Sequence, residues 1–594
     1  MELNVWEGEY KAVPTNQLLD TTKNGGDEVL NLSSSGATQP VTYSWENITV
    51  FYETTPGNCL TRLCKKSPPI RKKILDNVTG IVRPGEFLAI MGASGAGKTT
   101  LLNCLTFRNS GQLKISGERY LNGAKVNTDT LARISGYVQQ DDLFISTLTV
   151  HEHLRFQALL RMDTHLTYEE RMTRVEEVIN ELGLTKCSGS MIGHPERGIK
   201  GISGGERKRL AFASEVLTNP SLMFCDEPTS GLDSYMAQNI VQVLKNIAST
   251  GKTVVCTIHH EVESKKKIKE FCDTYDTSDA GKSVQEMVIA NRSIKSSRSQ
   301  ELDLEPVKIQ RSPYKASWFA QLRAVMWRSF LSVRREPAVL KVKAFQTIFI
   351  ASLIALIFQG QTYEFQNVRN FQGALFVFLT NMTFQSVFGV INDITLELPV
   401  FLREHFNGMY RTDIYFLSKT TADLPVYIVF PFLFVAIPYY AIGLNPDVGR
   451  FFIACGIVIL LANVATSFGY VISCMTSSTR VALAVGPPFI IPLLLFGGFF
   501  LRNGSVPVYF DWLRYVSWFM YANEALSINQ WNGISFNDTM SPCPQHICTE
   551  DYILKQFDFN PNNFYRNIGC LFALIVGFRI IAFLVLLKKT YRKN

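Results

Sequence analysis

The sequence predicts a multi-domain chain: an α/β domain of the P-loop NTPase type, followed by an all-α membrane domain of six transmembrane helices. Three observations carry that expectation. An apolar strand pattern, Phe87 to Met91, runs into the glycine-rich turn GASGAGKT and then into an amphipathic helix. A second apolar strand, Leu222 to Cys225, ends on Asp226 and Glu227. Beyond Arg335 long apolar runs dominate, each near the roughly 20 residues that a helix needs to cross a bilayer core.

Composition conceals the two halves: averaged over 594 residues, mean hydropathy lies slightly above zero although 19% of the residues are charged. The formal charge of +8 is spread along the chain rather than gathered in a stripe, so no nucleic-acid partner is expected. The opening MELNVWEGEYKAVPTNQLLD lacks the basic patch and apolar core of a secretory signal, which places the N-terminus in the cytosol. Residues 1–42, rich in Asn, Ser, Thr and Gly, read as a disordered tail, and residues 43–276 as the nucleotide-binding domain.

The turn fits GxxxxGKT, from Gly92, Ala93, Ser94, Gly95 and Ala96 through Gly97, Lys98, Thr99 and Thr100. Glycines let backbone N–H groups curl around phosphate oxygens, Lys98 neutralises β and γ charge, and Thr99 can ligate Mg2+. A carboxylate at the end of a buried parallel strand beside such a loop holds Mg2+, the role read for Asp226, and a second orients the attacking water, the role read for Glu227. An exposed acidic loop would not explain the buried strand that leads into it. Between these motifs, GISGGERKRL opens a helix at Ser203, Gly204 and Gly205, followed by Glu206; free N–H groups and the helix dipole there favour an anion.

Taken together, these motifs resemble an ATP-binding cassette. The signature ISGGE, with Glu206, is the form of the G (White) subfamily, and so is the order of nucleotide domain before membrane domain. The resemblance implies ATP and Mg2+ as ligands, Gln140 at the Q-loop position as a catalytic residue and a Mg2+ ligand with Thr99 and Asp226, Gly231 to Asp233 as the D-loop, and His259 as the catalytic switch histidine. In the family the signature of one domain closes over ATP held by the phosphate loop of another. One copy of each motif therefore implies a half-transporter that works as a dimer, either with its own copy or with a Scarlet- or Brown-type subunit. Stretches such as YVQQDDLF, TLELPVFLRE and VGPPFIIPLLLFGGFFL resemble the insect members that carry eye-pigment precursors, and the resemblance implies pteridine-, guanine- or tryptophan-derived small molecules as cargo.

One departure stands out. In the family the switch histidine precedes Gln-Pro, a helix and a further buried strand. Here His259 is followed by His260 and Glu261, and the run EVESKKKIKEFCDTY begins at once, so an internal segment is expected to be missing. Losing several dozen core-forming residues would cost more than the roughly 5–15 kcal/mol that stabilises a domain, and a catalytically impaired dimer partner is the alternative function. Residues 277–312, polar and weakly patterned, read as a linker.

Residues 313–335, with Trp318 and Trp327 among basic side chains, suit the bilayer surface and by resemblance form the helix that connects the two domains. The membrane domain, 336–594, is expected to span at 344–358, 373–391, 424–442, 451–474, 481–500 and 568–587. RREPAVLKVK, FLREHFNGMYR and LKKTYRKN then fall on one side, the cytosolic one with both termini, in a pigment-granule, endosomal or plasma membrane. The loop 501–567 lies opposite. It carries glycosylation acceptors at Asn537 and Asn503 and the neighbouring Cys543 and Cys548, which can pair within the loop or across a dimer. By resemblance Asn381 and Phe384 line the substrate cavity, with Gly497 to Phe500 at the constriction above it.

Overall fold

The computed structural model describes residues 40–54, 70–109, 113–193, 199–259, 274–275, 278–298, 314–476, 478–500, 508–534 and 550–591. Asn503, Asn537, Cys543, Cys548 and the run after His259 lie outside them.

Among the described residues, two sheets form the nucleotide-binding half. The first is antiparallel, in the order β2 (Ile70–Val82), β1 (Tyr43–Thr54), β4 (Leu113–Leu121), β5 (Ala124–Lys125). The second is parallel, in the order β3 (Phe87–Gly92), β8 (Thr253–His259), β7 (Leu222–Cys225), β6 (Ser135–Val138). Side chains alternate between faces along a strand, and the parallel strands use both: Leu222, Phe224 and Val255 pack with Tyr43, Trp45, Leu101 and Leu105. Met223, Cys225, Val254 and Cys256 pack on the other face with Leu154, Val175, Leu210 and Leu244. Burial on both sides explains why these strands read as continuous apolar runs.

Helix α1 (Lys98–Leu105) follows β3, and α2 (Thr128–Ile134) leads into β6. α3 (Val150–Arg161) and α4 (Tyr168–Glu181) each begin in a capping box, Thr149 with Glu152 and Thr167 with Glu170. α5 (Gly204–Val216) precedes β7, and α6 (Ser234–Ser249) precedes β8. Part of the expected linker is instead helical, α7 (Asp279–Arg298). It lies on the antiparallel sheet, where Asn291 Nδ2 donates to Ser44 Oγ at 3.3 Å; this contact with β1 was not visible in the segment's weak periodicity.

The connecting helix, α8 (Trp318–Arg334), starts at its N-cap Ser317 and packs between α3 and α11 (Thr412–Asp423). Its inner face is buried in protein, with Thr147 Oγ1 donating to Ser332 Oγ at 3.0 Å and Arg335 paired with Glu152. Among the described residues, apolar helices overlap each of the expected spans: α9 (Pro337–Ile357), α10 (Val368–Phe406), α11 with α12 (Val426–Ile442), α13 (Val448–Met475), α14 (Thr479–Leu495) and a last one, Phe564–Thr590. Among the described residues five are long and apolar enough to cross a membrane, whereas α14 has only 17 residues. Pro487, Pro488 and Pro492 remove backbone donors along it, and the helix stops at Leu495 rather than at Phe500.

The expected loop 501–567 is in fact largely built into the fold. It contributes α15 (Asp511–Val516), α16 (Trp518–Trp531) and α17 (Glu550–Gln556), and the last helix, α18, already begins at Phe564. Every residue of α16 is buried. Several of its polar side chains find partners inside the helical core: Gln372 Nε2 donates to Asn523 Oδ1 at 2.9 Å, and Asn523 Nδ2 to the Gly497 carbonyl at 2.9 Å. Glu524 accepts from the amides of Asn563 and Asn567.

Candidate functional site

Parallel pairing places the functional side chains at one edge of the second sheet. Gly92, the last residue of β3, is in register with His259, the last of β8; Asp226 follows β7, and Gln140 lies two residues beyond β6. This edge, at the strands' carboxyl ends, is where open α/β sheets bind ligands.

The phosphate loop turns through Ser94, Gly95 and Ala96, all exposed, and enters α1 at Gly97. Gly97 has φ +95, and a Cβ there would stand 2.9 Å from Leu75 Cδ2, so only glycine fits without strain. Lys98 is buried; its ammonium folds over the loop, donating to the carbonyls of Gly92 at 2.8 Å and Ala93 at 3.0 Å, and lies 3.4 Å from Glu227 Oε1.

Thr99 Oγ1 donates to Asp226 Oδ1 at 3.1 Å, and Gln140 Nε2 donates to Glu227 Oε2 at 2.9 Å. Burial pushes the Asp226 carboxyl above the usual carboxylate range, opposed by hydrogen bonds from Thr257 and Thr99. Gln140 stands with Glu227, whereas the hydroxyl and carboxylate pair Thr99 and Asp226 form a separate set. These two hard oxygens fit Mg2+, which takes one or two protein ligands and completes its shell from phosphate and water.

The signature opens α5 with Ser203 as N-cap. Here Glu206 closes a capping box: its Oε2 accepts from Ser203 N at 2.8 Å and Oγ at 2.9 Å, and these contacts hold its carboxyl below the usual range, the backbone bond most of all. Ser203 and Gly204 are exposed. From the same helix Lys208 Nζ donates to the Gln140 carbonyl at 2.7 Å and to Asp142 at 3.1 Å, tying signature to Q-loop. Asp233 caps α6 by accepting from Met236 N. The motifs did not point to Lys208, nor to Thr257, which bonds both Asp226 and the Glu227 amide; the single polar side chain in the apolar run VVCTI was the available signal for the latter.

In the membrane half, Asn381 and Phe384 sit on α10, where Phe384 stacks on Phe388 at 5.9 Å and Asn381 Oδ1 is buried without a hydrogen-bond partner among the described residues. Phe376 stacks on Phe499 at 4.7 Å beside Gly497. A cavity of about 690 Å³ lies where the halves meet, lined by the segment after Gln140 and by α9 to α12; neither Asn381 nor Phe384 lines it.

Residues 75–230 match the family model described as ABC transporter, and residues 320–531 the one described as ABC-2 type transporter. The chain is 44% identical to Protein white of Drosophila melanogaster, covering 95% of this chain and 92% of that protein. Protein white of Ceratitis capitata is also 44% identical, over 93% and 92% respectively. The ABC transporter ATP-binding protein/permease wht-1 of Caenorhabditis elegans is 35% identical, over 91% of each. The Drosophila alignment runs over 643 positions against the chain's 594 residues, so that relative has residues for which this chain has no counterpart. By these matches the chain belongs to the ATP-binding cassette transporters, as a membrane-embedded, ATP-hydrolysing member of the White (G) subfamily.

Proposed function

We propose that the chain is one half of a dimeric pump that couples ATP hydrolysis to the movement of small molecules, with pteridine-, guanine- or tryptophan-derived pigment precursors as cargo. A second copy or a Scarlet- or Brown-type subunit supplies the other half, in a pigment-granule, endosomal or plasma membrane. The similarity to Protein white supports the cargo, and the single set of motifs supports the dimer.

The observation that carries the hydrolytic reading is the contact of Lys98 and Gln140 with Glu227, beside the Thr99 and Asp226 pair. Lys98 exchanges its loop carbonyls for β and γ phosphate oxygens. Glu227 orients the attacking water and takes its proton, with Gln140 holding the other carboxylate oxygen. Thr99 and Asp226 would hold Mg2+, which neutralises phosphate charge when bound. His259, beside Gly92, faces the end of the phosphate chain, while Ser203 to Glu206 serve the nucleotide of the partner. Asn381 and Phe384 line the cargo path.

Glu227→Gln in the full chain with its partner tests this reading. Turnover should fall on the order of 100-fold, about 2.7 kcal/mol, with ATP binding retained. Equal turnover in the two proteins overturns the role of Glu227.

A second reading, a catalytically impaired dimer partner, is favoured by one observation. Among the described residues β3, which carries the phosphate loop, is paired on one side only, by β8. A transcript read across the codons for His259 to Ser264 separates the two: an additional exon there restores the hydrolytic reading in full.

A further inference from the structure

We infer that Thr257 is a positioning residue for ATP hydrolysis, holding both acidic residues of the site through one hydroxyl. Thr257 lies in β8, opposite Ile90 of β3, and is fully buried. Its neighbours Val254, Val255 and Cys256 are packed apolar side chains, and valine has the same branched shape as threonine. The hydroxyl is therefore not needed to fill space.

Both capacities of that hydroxyl are used. It donates to Asp226 Oδ1 at 2.8 Å and accepts from the Glu227 backbone N–H at 2.8 Å. Its single proton goes to the carboxylate, which accepts only, so its lone pair is left for the amide. Glu227 has φ +42, a left-handed conformation that non-glycine residues seldom adopt. The bond to its amide holds that turn, which brings the side chain to Gln140 and Lys98. Asp226 Oδ1 also accepts from Thr99 at 3.1 Å. When the Thr99 hydroxyl turns to a metal ion, Thr257 remains as the donor that keeps Asp226 aimed at the same ion. Groups behind a metal ligand commonly change metal affinity by 10- to 100-fold.

This inference rests on the reading of Asp226 as a metal-holding residue, and the test separates the two. Full-length protein with its partner in lipid nanodiscs is compared as wild type, Thr257→Val, Thr257→Ser and Asp226→Asn. Mn2+ affinity is read by electron paramagnetic resonance with a non-hydrolysable ATP analogue, alongside ATP turnover and thermal unfolding. Thr257→Val should weaken Mn2+ binding about 10-fold and lower turnover at least as much, while Thr257→Ser stays within about 3-fold of wild type by keeping the hydroxyl. Unchanged Mn2+ affinity in Thr257→Val with a loss in Asp226→Asn overturns the role of Thr257 alone. Unchanged affinity in Asp226→Asn overturns the metal reading beneath it. Thr257→Ala serves where Thr257→Val does not fold, and failure of both to fold while Thr257→Ser folds marks a structural hydroxyl and overturns the proposal.

Discussion

Arg328 of the connecting helix and Glu404 near the end of α10 form an ion pair with both side chains 2% exposed, Nη1 lying 2.8 and 2.7 Å from the two carboxylate oxygens. Tyr410 closes the arrangement, accepting from Arg328 Nη2 and donating to Glu404 Oε2. The guanidinium also stacks over Phe156 of α3 at 4.1 Å, so one side chain joins the nucleotide domain, the connecting helix and a membrane helix. Removing one partner of a buried pair strands the other charge, at about 3–5 kcal/mol. Arg328→Ala should therefore lower the thermal unfolding temperature sharply. The double change Arg328→Met with Glu404→Leu should recover most of the loss, because it strands neither charge.

Gly97 and Gly95 separate backbone strain from crowding in the phosphate loop. Both have positive φ, +95 and +74, but only at Gly97 does an added Cβ collide, with Leu75. Gly95→Ala carries the left-handed penalty alone, about 1–2 kcal/mol. Gly97→Ala adds the collision and should weaken nucleotide binding by more than 10-fold. Titration with a fluorescent ATP analogue reads both, and equal losses would contradict the geometry.

His153 gives the nucleotide domain a pH dependence. It is fully buried against Ser214 and Phe144, and burial, with Arg403, Arg328 and Arg161 nearby, pushes its pKa well below the usual 6.5. The folded state thus holds the ring neutral while the unfolded chain protonates below about 6.5. Stability present above that pH is lost as pH falls, by up to about 1.4 kcal/mol per pH unit for one group. His153→Gln should flatten this part of the profile between pH 6.5 and 5, measured as the difference in unfolding temperature from wild type.

Asn381 has a buried amide oxygen without a partner among the described residues, an arrangement that costs about 1–3 kcal/mol in a fold. Replacing it with leucine should leave stability unchanged or raise it by about 1 kcal/mol, and lower transport of pigment-precursor substrates in vesicles. Transport equal to wild type would remove Asn381 from the cargo path.

The sequence makes legible what the chain encodes locally. The phosphate loop, the signature and the strand ahead of Asp226 are contiguous motifs; Lys98 and Gln140 meet at Glu227, and Thr99 meets Asp226. Thr257 and Lys208 act across separations of 31 and 68 residues, to Asp226 and to the Gln140 carbonyl; beyond the lone polar side chain in VVCTI, local pattern does not reveal the partner of either. Helix α16 was hidden for another reason: Asn523, Glu524, Ser527, Asn529 and Gln530 lower its apolarity, so the segment resembled a loop. Only the folded partners, Gln372, Asn445, Asn563 and Asn567 among them, make that burial affordable.

Those partners also set how this part of the membrane domain can change shape. A greasy helix can slide along its neighbours by any small amount, since dispersion contacts re-form everywhere. Trp518–Trp531 is held instead by amides whose donors and acceptors match at one position, with Glu524 pinned to the start of the final span. Any displacement must break several of these bonds together before new ones form, so this region behaves as a latch with discrete stops rather than as a sleeve.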